Sequence, residues 1–220
     1  MTMTVIAIDG PAGAGKSTVA KQVALATGLP YLDTGAMYRC VAHAVMSSGV
    51  NTVDAEAVGE IARSARIVVE SDRSELNGVD VSQVIRTPEV SSVVSIIAAH
   101  SPVRDAMRLQ QRRWIDIHGG GVVEGRDIGT VVFPRADLKI FLTASPEVRA
   151  ERRVSQTGGD VAQIAANIAE RDRIDSTRED SPLRPADDAI HVDSSRRTID
   201  EVVNEIVHHF RNVKGRQDNG

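Results

Sequence analysis

Short apolar runs alternate along the chain with longer segments in which apolar residues recur at helical spacing. Residues 5–8 read Val-Ile-Ala-Ile, and residues 122–123 and 138–142 predict further short strands. Continuous apolar runs are typical of parallel strands that are buried on both faces. The last segment, from Ile199 to Phe210, places apolar residues on one stripe of a helix. The pattern predicts an α/β protein with a parallel β-sheet core that is flanked by helices.

One stretch breaks this alternation. Residues 66–86 carry apolar-containing runs on either side of Asn77-Gly78, and this dipeptide is a strong signal for a tight β-hairpin. A small antiparallel insert that ends in a helix is therefore expected. The predicted division is a core at residues 1–62 and 100–212, an insert at residues 63–99, and a disordered polar tail at residues 213–220.

Composition restricts the classes of partner. The chain has 220 residues, 41% of them hydrophobic, which is enough for one substantial core with a small appended subdomain. Aromatic residues make up 3%, so the core is aliphatic and no platform for stacking single-stranded nucleic acid is visible. The net charge of −4 and the pI of about 5.9 also disfavour a general nucleic-acid binder.

The single cysteine and the apolar content bear on location. Cys40 lies among apolar residues of a predicted helix, so we interpret it as a packing residue of a protein from a reducing compartment. The first residues carry no basic leader, and no apolar run approaches the ~20 residues of a membrane span. We expect a cytoplasmic monomer with no membrane or nucleic-acid partner.

The strongest motif follows the first predicted strand. Residues 10–17 read Gly-Pro-Ala-Gly-Ala-Gly-Lys-Ser and satisfy the phosphate-binding loop pattern G-x-x-x-x-G-K-[ST], with helix-forming residues after it. Backbone N–H groups at an open helix end can hold a triphosphate, and glycines permit its close approach. Lys16 is suited to reach the β- and γ-phosphates, and the Ser17 hydroxyl to ligate Mg²⁺. The predicted ATP-binding residues are Gly10, Pro11, Ala12, Gly13, Ala14, Gly15, Lys16, Ser17 and Thr18.

Charged residues also follow other predicted strands. Arg39 comes a little over one turn into the helix that Asp33 or Thr34 can cap, which equally fits simple capping with a surface arginine. Residues 124–127, Glu-Gly-Arg-Asp, follow the carboxyl end of the predicted strand at 122–123. Ligands of open α/β sheets bind at that edge.

Two rows of arginines have helical spacing. Arg104, Arg108 and Arg112 recur every four residues, and such a row is typical of a solvated face, which we expect for Arg108, Arg112 and Arg113. Arg171, Asp175 and Arg178 place a carboxylate between two guanidiniums, which also fits surface ion pairing.

Four stretches together closely resemble bacterial cytidylate kinases, a family of P-loop nucleoside monophosphate kinases. They are residues 10–18, residues 33–39 (Asp-Thr-Gly-Ala-Met-Tyr-Arg), residues 124–134 with their Gly-Arg-Asp-Ile-Gly-Thr segment, and residues 170–173. The resemblance implies a P-loop NTPase fold with a small antiparallel NMP-binding insert and a helical lid, here at residues 155–175. It also implies transfer of the ATP γ-phosphoryl group to CMP or dCMP with Mg²⁺.

The resemblance assigns roles at matching positions. It implies that Lys16, Arg39, Arg126 and Arg178 act on the phosphates and are catalytic. It further implies that the CMP phosphate is held by Arg39, Arg126 and Arg178, cytosine by Thr34, Ser95, Arg104 and Asp127, and ribose by Arg171 and Asp175. Ser95 lies in a repetitive stretch, so that Ser91 and Ser92 remain alternatives.

Two questions stay open at this point. The carboxylate that supports Mg²⁺ is unassigned, with Asp9 and Asp33 as candidates. Rival functions are a small P-loop kinase for shikimate, dephospho-coenzyme A or another nucleotide, and a nucleotide-dependent switch. The guanine-specificity motif N-K-x-D is absent from the sequence, which disfavours the switch.

Overall fold

A five-stranded parallel sheet forms the centre of the molecule, as the apolar runs predict. The computed structural model describes residues 3–217. Their strands, in chain order, are β1 (Thr4–Asp9), β2 (Tyr31–Asp33), β3 (Ile67–Val69), β4 (Ser74–Leu76), β5 (Val79–Asp80), β6 (Gly120–Gly125), β7 (Leu138–Thr143) and β8 (Ile190–Asp193). The parallel sheet has the order β2-β6-β1-β7-β8, so β1 lies in the middle.

Helices connect these strands and cover the sheet. In chain order they are α1 (Lys16–Thr27), α2 (Thr34–Ser48), α3 (Ala55–Ser64), α4 (Pro88–Ile97), α5 (Ser101–His118), α6 (Pro146–Thr157), α7 (Val161–Thr177) and α8 (Ile199–Gln217). The side chains of Asp33, Asp54, Ser145 and Asp160 cap the helices that follow them by accepting a backbone N–H. α5 begins at Ser101, and the side chain of the preceding His100 makes no capping hydrogen bond.

Both faces of the central strand are buried. Ile6 and Ile8 pack against α1 and α8, whereas Val5 and Ala7 pack on the opposite face in a cluster that includes α2 and α5. Cys40 is fully buried in that second cluster, as predicted. Burying a Val or Ile side chain stabilises the fold by about 1.5–3 kcal/mol. The two clusters therefore hold the carboxyl ends of the parallel strands, from which the loops start, in one arrangement.

The predicted hairpin is confirmed. β3, β4 and β5 form an antiparallel sheet, and Asn77 and Gly78 join β4 to β5 with φ angles of 53° and 83°. Two successive residues of positive φ are typical of a type I′ turn. Val69 and Leu76 of this small sheet belong to the same apolar cluster as α2 and α5, so the insert has no separate core.

The last described residues of the chain differ from the predicted disordered tail, whereas the predicted lid contains two helical segments. Residues 155–175, the predicted lid, comprise the end of α6, a joint at Gly158-Gly159 and most of α7. Residues 213–217, predicted to be disordered, continue α8. Lys214 anchors this extension, since its Nζ donates to Thr4 Oγ1 at 2.7 Å. Residues 218–220 of the predicted tail lie outside the described residues.

Candidate active site

The loop after β1 leads directly into α1. Gly15 precedes the helix with φ of 88°, and no side chain caps the helix end. The first backbone N–H groups of α1 are thus available to an anion. Lys16 Nζ donates to Pro11 O at 2.7 Å. Burial and the neighbouring Arg126 lower the pKa of Lys16, so a bound anion would stabilise its charged form.

Two glycines allow this loop to lie against its neighbours. Gly10 has φ of 154°, and a Cβ there would lie 2.0 Å from Leu142 O of β7. Gly13 has φ of 77°, and its Cβ would lie 3.0 Å from the Cβ of Arg149. Any larger residue at Gly10 would force the backbone apart, because the atom it meets is a main-chain oxygen.

The two carboxylates considered for Mg²⁺ have structural partners. Asp9 accepts hydrogen bonds from the backbone N–H groups of Ile128 and Gly129, at 2.8 and 2.7 Å. It therefore ties the end of β1 to the segment that follows β6. Asp33 caps α2 by accepting from Ala36 N at 2.9 Å.

Asp9 should make the stability of the protein depend on pH. Burial raises the pKa of Asp9 to about 6 from 3.8. Because the folded-state pKa is the higher one, this contribution favours folding below pH ~4 and is lost as pH rises through about 6. The free energy of unfolding should fall by about 2 kcal/mol on this account between pH ~4.5 and ~7. Urea unfolding at both pH values should show that Asp9→Asn lacks this part of the decrease; an equal decrease in both proteins would contradict it.

A carboxylate that sequence reasoning missed lies against Ser17. Glu124 of β6 is buried and accepts hydrogen bonds from the Ser17 and Tyr31 hydroxyls. Burial and the nearby Asp33 raise the pKa of Glu124. The available signal was the position of Glu124 directly after the predicted strand at 122–123, at the sheet edge where ligands of open α/β sheets bind.

Four arginines that the family resemblance assigns to the acceptor form a network of neighbouring charges beside this loop. Asp175 of α7 joins two of them: it accepts from Arg126 Nε at 2.9 Å and lies 3.6 Å from Arg178 Nη1. Burial opposes the charge of Asp175, but Arg126, Arg171 and Arg178 keep its pKa below the usual value. The four arginines are Arg39, Arg126, Arg171 and Arg178.

Positive charge is in excess in this cluster. Arg39 Nη1 donates to a neutral partner, Ser91 Oγ, at 2.8 Å. Arg171 Nε and Arg178 Nη2 are buried without a hydrogen bond. Burial lowers the pKa of both side chains, and Arg126 contributes to lowering that of Arg171 to about 9. Converging, unpartnered guanidinium donors are suited to bind a phosphate.

A buried ion pair lies beside the cluster. Arg104 is 1% exposed; its Nη2 donates to Asp127 Oδ2 at 2.6 Å and its Nη1 to Ala98 O at 3.0 Å. The Tyr38 ring centroid is 5.7 Å from Arg104 Cζ. The second oxygen, Asp127 Oδ1, is 3.8 Å from Arg178 Nη2, beyond hydrogen-bond distance. The predicted base-recognition and phosphate residues are thus adjacent.

The hydroxyl groups predicted to contact the base have different surroundings. Thr34 Oγ1 donates to Glu124 O at 2.6 Å, which places Thr34 against β6. Of the three candidate serines on α4, Ser91 is bound by an arginine, Ser92 is exposed and donates to its own helix backbone, and Ser95 is half-buried. The hydroxyl of Ser95, one turn after Ser91, makes no hydrogen bond within the described part of the chain.

The sequence analysis also did not predict the contacts between α7 and the phosphate loop. Asp172 accepts from Ala12 N at 3.0 Å and pairs with Arg149, whose Nη1 donates to Ala12 O at 3.1 Å. The predicted lid is therefore joined to the loop through one carboxylate and one guanidinium.

The expectation of a solvated arginine row is wrong for Arg108. Its side chain is 15% exposed and donates to Asp180 Oδ1 at 2.9 Å, because the segment after α7 covers that part of α5. Arg112 and Arg113 are exposed, as expected.

Comparison with known proteins shows the family of this chain. A family model described as "Cytidylate kinase" matches residues 6–212. A cytidylate kinase of Desulforamulus reducens is 49% identical, over 92% of this chain and 94% of its own length. The chain belongs to the cytidylate kinase family. A bifunctional pantoate ligase/cytidylate kinase of Prochlorococcus marinus is 48% identical over 94% of this chain, and the chain spans 43% of that protein.

Membership of the cytidylate kinase family confirms the resemblance carried by the four sequence stretches. Among solved structures, TT1252 from Thermus thermophilus has a TM-score of 0.52 and 20% identity, with 95% of this chain and 98% of that chain covered. An uncharacterised protein from Eubacterium ventriosum has a TM-score of 0.54 and 12% identity over 94% and 97%. Both similarities concern the fold. Among residues 3–217, every helix is too short or too polar to cross a bilayer.

Proposed function

We propose that this member of the cytidylate kinase family transfers the γ-phosphoryl group of ATP to CMP or dCMP, giving CDP or dCDP and ADP in pyrimidine nucleotide metabolism. The observation that carries the proposal is the buried Arg104–Asp127 pair, which adjoins an arginine cluster next to a phosphate-binding loop. The ion pair would recognise the base, the arginines would bind the acceptor's phosphate, and the loop would hold the triphosphate of ATP. Together they support CMP and ATP as the two substrates.

The arginine cluster suits the acceptor's phosphate and sugar. Arg39, Arg126 and Arg178 would bind the CMP phosphate, and the unpartnered Nη2 of Arg178 supports this role. Arg171 and Asp175 would contact the ribose hydroxyls, since one supplies donors and the other acceptors. A phosphate dianion would also offset the repulsion among these guanidiniums.

The Arg104–Asp127 pair suits cytosine. Asp127 Oδ2 is bound by Arg104, while Oδ1 remains to accept a hydrogen bond from the 4-amino group of the base. Uracil carries a carbonyl at this position, and an oxygen facing a buried carboxylate is unfavourable. Arg104 together with the Thr34 and Ser95 hydroxyls would satisfy the remaining polar atoms of the ring.

The transfer requires positioning rather than a strong base. The bond between the γ-phosphorus and the β–γ bridging oxygen breaks, a bond to an acceptor phosphate oxygen forms, and ADP leaves. The attacking oxygen is already ionised at neutral pH. Lys16 and the catalytic arginines Arg39, Arg126 and Arg178 would stabilise the charge of the migrating group. Contact of α7 with the phosphate loop through Asp172 would help to exclude water.

The residues around Ser17 fit Mg²⁺. This cation prefers oxygen ligands and is commonly held by few protein groups together with substrate phosphates. Ser17 would be the direct ligand, and Glu124, with Asp33 beside it, would hold the water molecules around the ion. When bound with ATP, Mg²⁺ neutralises charge on the β- and γ-phosphates.

Glu124→Gln should weaken metal dependence more than nucleotide binding. We expect the Mg²⁺ concentration for half-maximal activity to rise by about 10-fold or more, because a charged outer partner is lost. Binding of Mn²⁺ in the presence of ADP, followed by electron paramagnetic resonance, should weaken in parallel. Glu151→Gln, an exposed change on α6, is the control and should match the wild type. An unchanged metal requirement in Glu124→Gln would exclude this role.

We further propose that the enzyme works in the cytoplasm as a monomer. Every residue of the proposed site comes from one chain, and buried Cys40 suits a reducing compartment.

The test of the reaction is product analysis: ATP, Mg²⁺ and CMP should yield CDP and ADP in equal amounts by phosphorus NMR. ADP with free phosphate and no CDP would show hydrolysis instead and would contradict the proposal.

A further inference from the structure

The segment that follows α7 joins the two halves of the acceptor site through Asp180. This carboxylate accepts from Arg108 of α5 through both terminal nitrogens, at 2.9 Å from Nη1 and 3.3 Å from Nη2. It is only partly buried, yet hydrogen bonds from Arg108 and Ser181 lower its pKa to about 2. Asp180 therefore stays charged at any pH at which the protein would be assayed.

Asp180 also faces the arginine of the base pocket. Its Oδ1 lies 3.8 Å from Arg104 Nε, a buried N–H without a hydrogen bond. Since Asp127 holds Nη2 of the same guanidinium, two carboxylates share one buried cation. Removal of Asp180 would leave Asp127 as the one of these two carboxylates that still faces Arg104, and would make the charge of the pocket more positive.

The next residue extends the connection to the phosphate-binding arginine. Arg178 Nε donates to Ser181 O at 2.7 Å. Ser181 Oγ accepts from Arg108 at 2.9 Å and donates to Asp180 at 2.6 Å. Ser181 has φ of 55°, a left-handed conformation that is unfavourable for serine and that these bonds stabilise.

We propose that Asp180 is a positioning residue for the acceptor nucleotide: it fixes Arg178, which faces the phosphate, relative to Arg104, which faces the base. The proposal rests on the proposed CMP kinase function. It follows from two contacts of one short segment, Asp180 to the α5 arginines and Ser181 O to Arg178. The donor side is untouched by these contacts, so Asp180 should affect the acceptor alone.

Asp180→Asn separates this role from a general loss of structure. We expect the KM for CMP to rise by about 10-fold or more, since charge-assisted hydrogen bonds are lost, and the KM for ATP to stay within about twofold. Asp105→Asn is the matched control. Asp105 Oδ1 pairs with the same Arg108 at 2.6 Å, but its side chain is 67% exposed. This control should leave both KM values within about twofold.

A second variant makes the test independent of the folding of the first. Arg108→Gln should raise the KM for CMP in the same way, and combining it with Asp180→Asn should add little, because the two residues act as a pair. Equal effects of Asp180→Asn and Asp105→Asn, or a parallel rise in the KM for ATP, would overturn the positioning role while CMP kinase activity stands. A wild-type protein that does not phosphorylate CMP would overturn both.

Discussion

Lys16→Ala should lower kcat for CMP phosphorylation by about 1,000-fold, the upper range for losing one preorganised charge at a reacting group. Lys16 is the buried cation of the phosphate loop, and its Nζ is held within the loop by Pro11 O. Its pKa is lowered by burial and by Arg126, so the charged form gains most when the donor phosphates are bound. Steady-state kinetics with saturating ATP and CMP measure the loss.

Lys21→Ala is the control for the loss of a lysine from α1. Lys21 lies outside the phosphate loop, is partly exposed and pairs with Asp72 at 3.1 Å. This variant should keep kcat within about twofold, since exposed ion pairs contribute little. If kcat of Lys16→Ala is less than about tenfold lower than that of the wild type, the loop does not stabilise the migrating phosphoryl group in the proposed way.

Asp127→Ala should reduce the preference for CMP over UMP by about 100-fold or more, because the acceptor for the 4-amino group is lost and the repulsion of the uracil carbonyl is removed. The ratio of kcat/KM for the two nucleotides measures this preference. The KM for ATP should change little, since Asp127 contacts Arg104 and approaches Arg178, which the proposed function assigns to the acceptor side.

Loss of Asp127 also leaves Arg104 without its closest anion, and removing one partner of a buried ion pair costs about 3–5 kcal/mol. Asp127→Asn keeps the volume of the side chain and is the variant to use if alanine prevents folding. Asp116→Ala, an exposed change on α5, controls for the loss of an acidic residue. An unchanged CMP-over-UMP preference in both Asp127 variants would exclude base recognition by this residue.

Short stretches of sequence were sufficient to predict the framework of the fold. The apolar run of β1, the glycine-rich loop and the Asn77-Gly78 turn are contiguous signals, and each depends on backbone requirements of a few neighbouring residues. A short-range signal fails where a distant residue intervenes, as in α8, whose polar end is held by Lys214 against β1.

Contacts between distant residues explain what the sequence did not predict in the site. Glu124 meets Ser17 because β6 pairs in parallel with β1, and Asp172 reaches Ala12 across 160 positions. Helical spacing likewise predicts exposure for Arg108, which the segment after α7 covers. Spacing alone would expose Arg104 as well, although it is buried; only the family resemblance predicts a role in the site for this arginine.

The most direct test of the proposed function is coupled ADP production from ATP and Mg²⁺ with CMP, dCMP, UMP, AMP and shikimate supplied separately. Rapid turnover with CMP and dCMP, and kcat/KM values at least about 100-fold lower with the other three acceptors, is the predicted result. Faster turnover with UMP, AMP or shikimate would contradict the assignment of Arg104 and Asp127 to cytosine. No turnover with any acceptor would contradict the proposed kinase function itself.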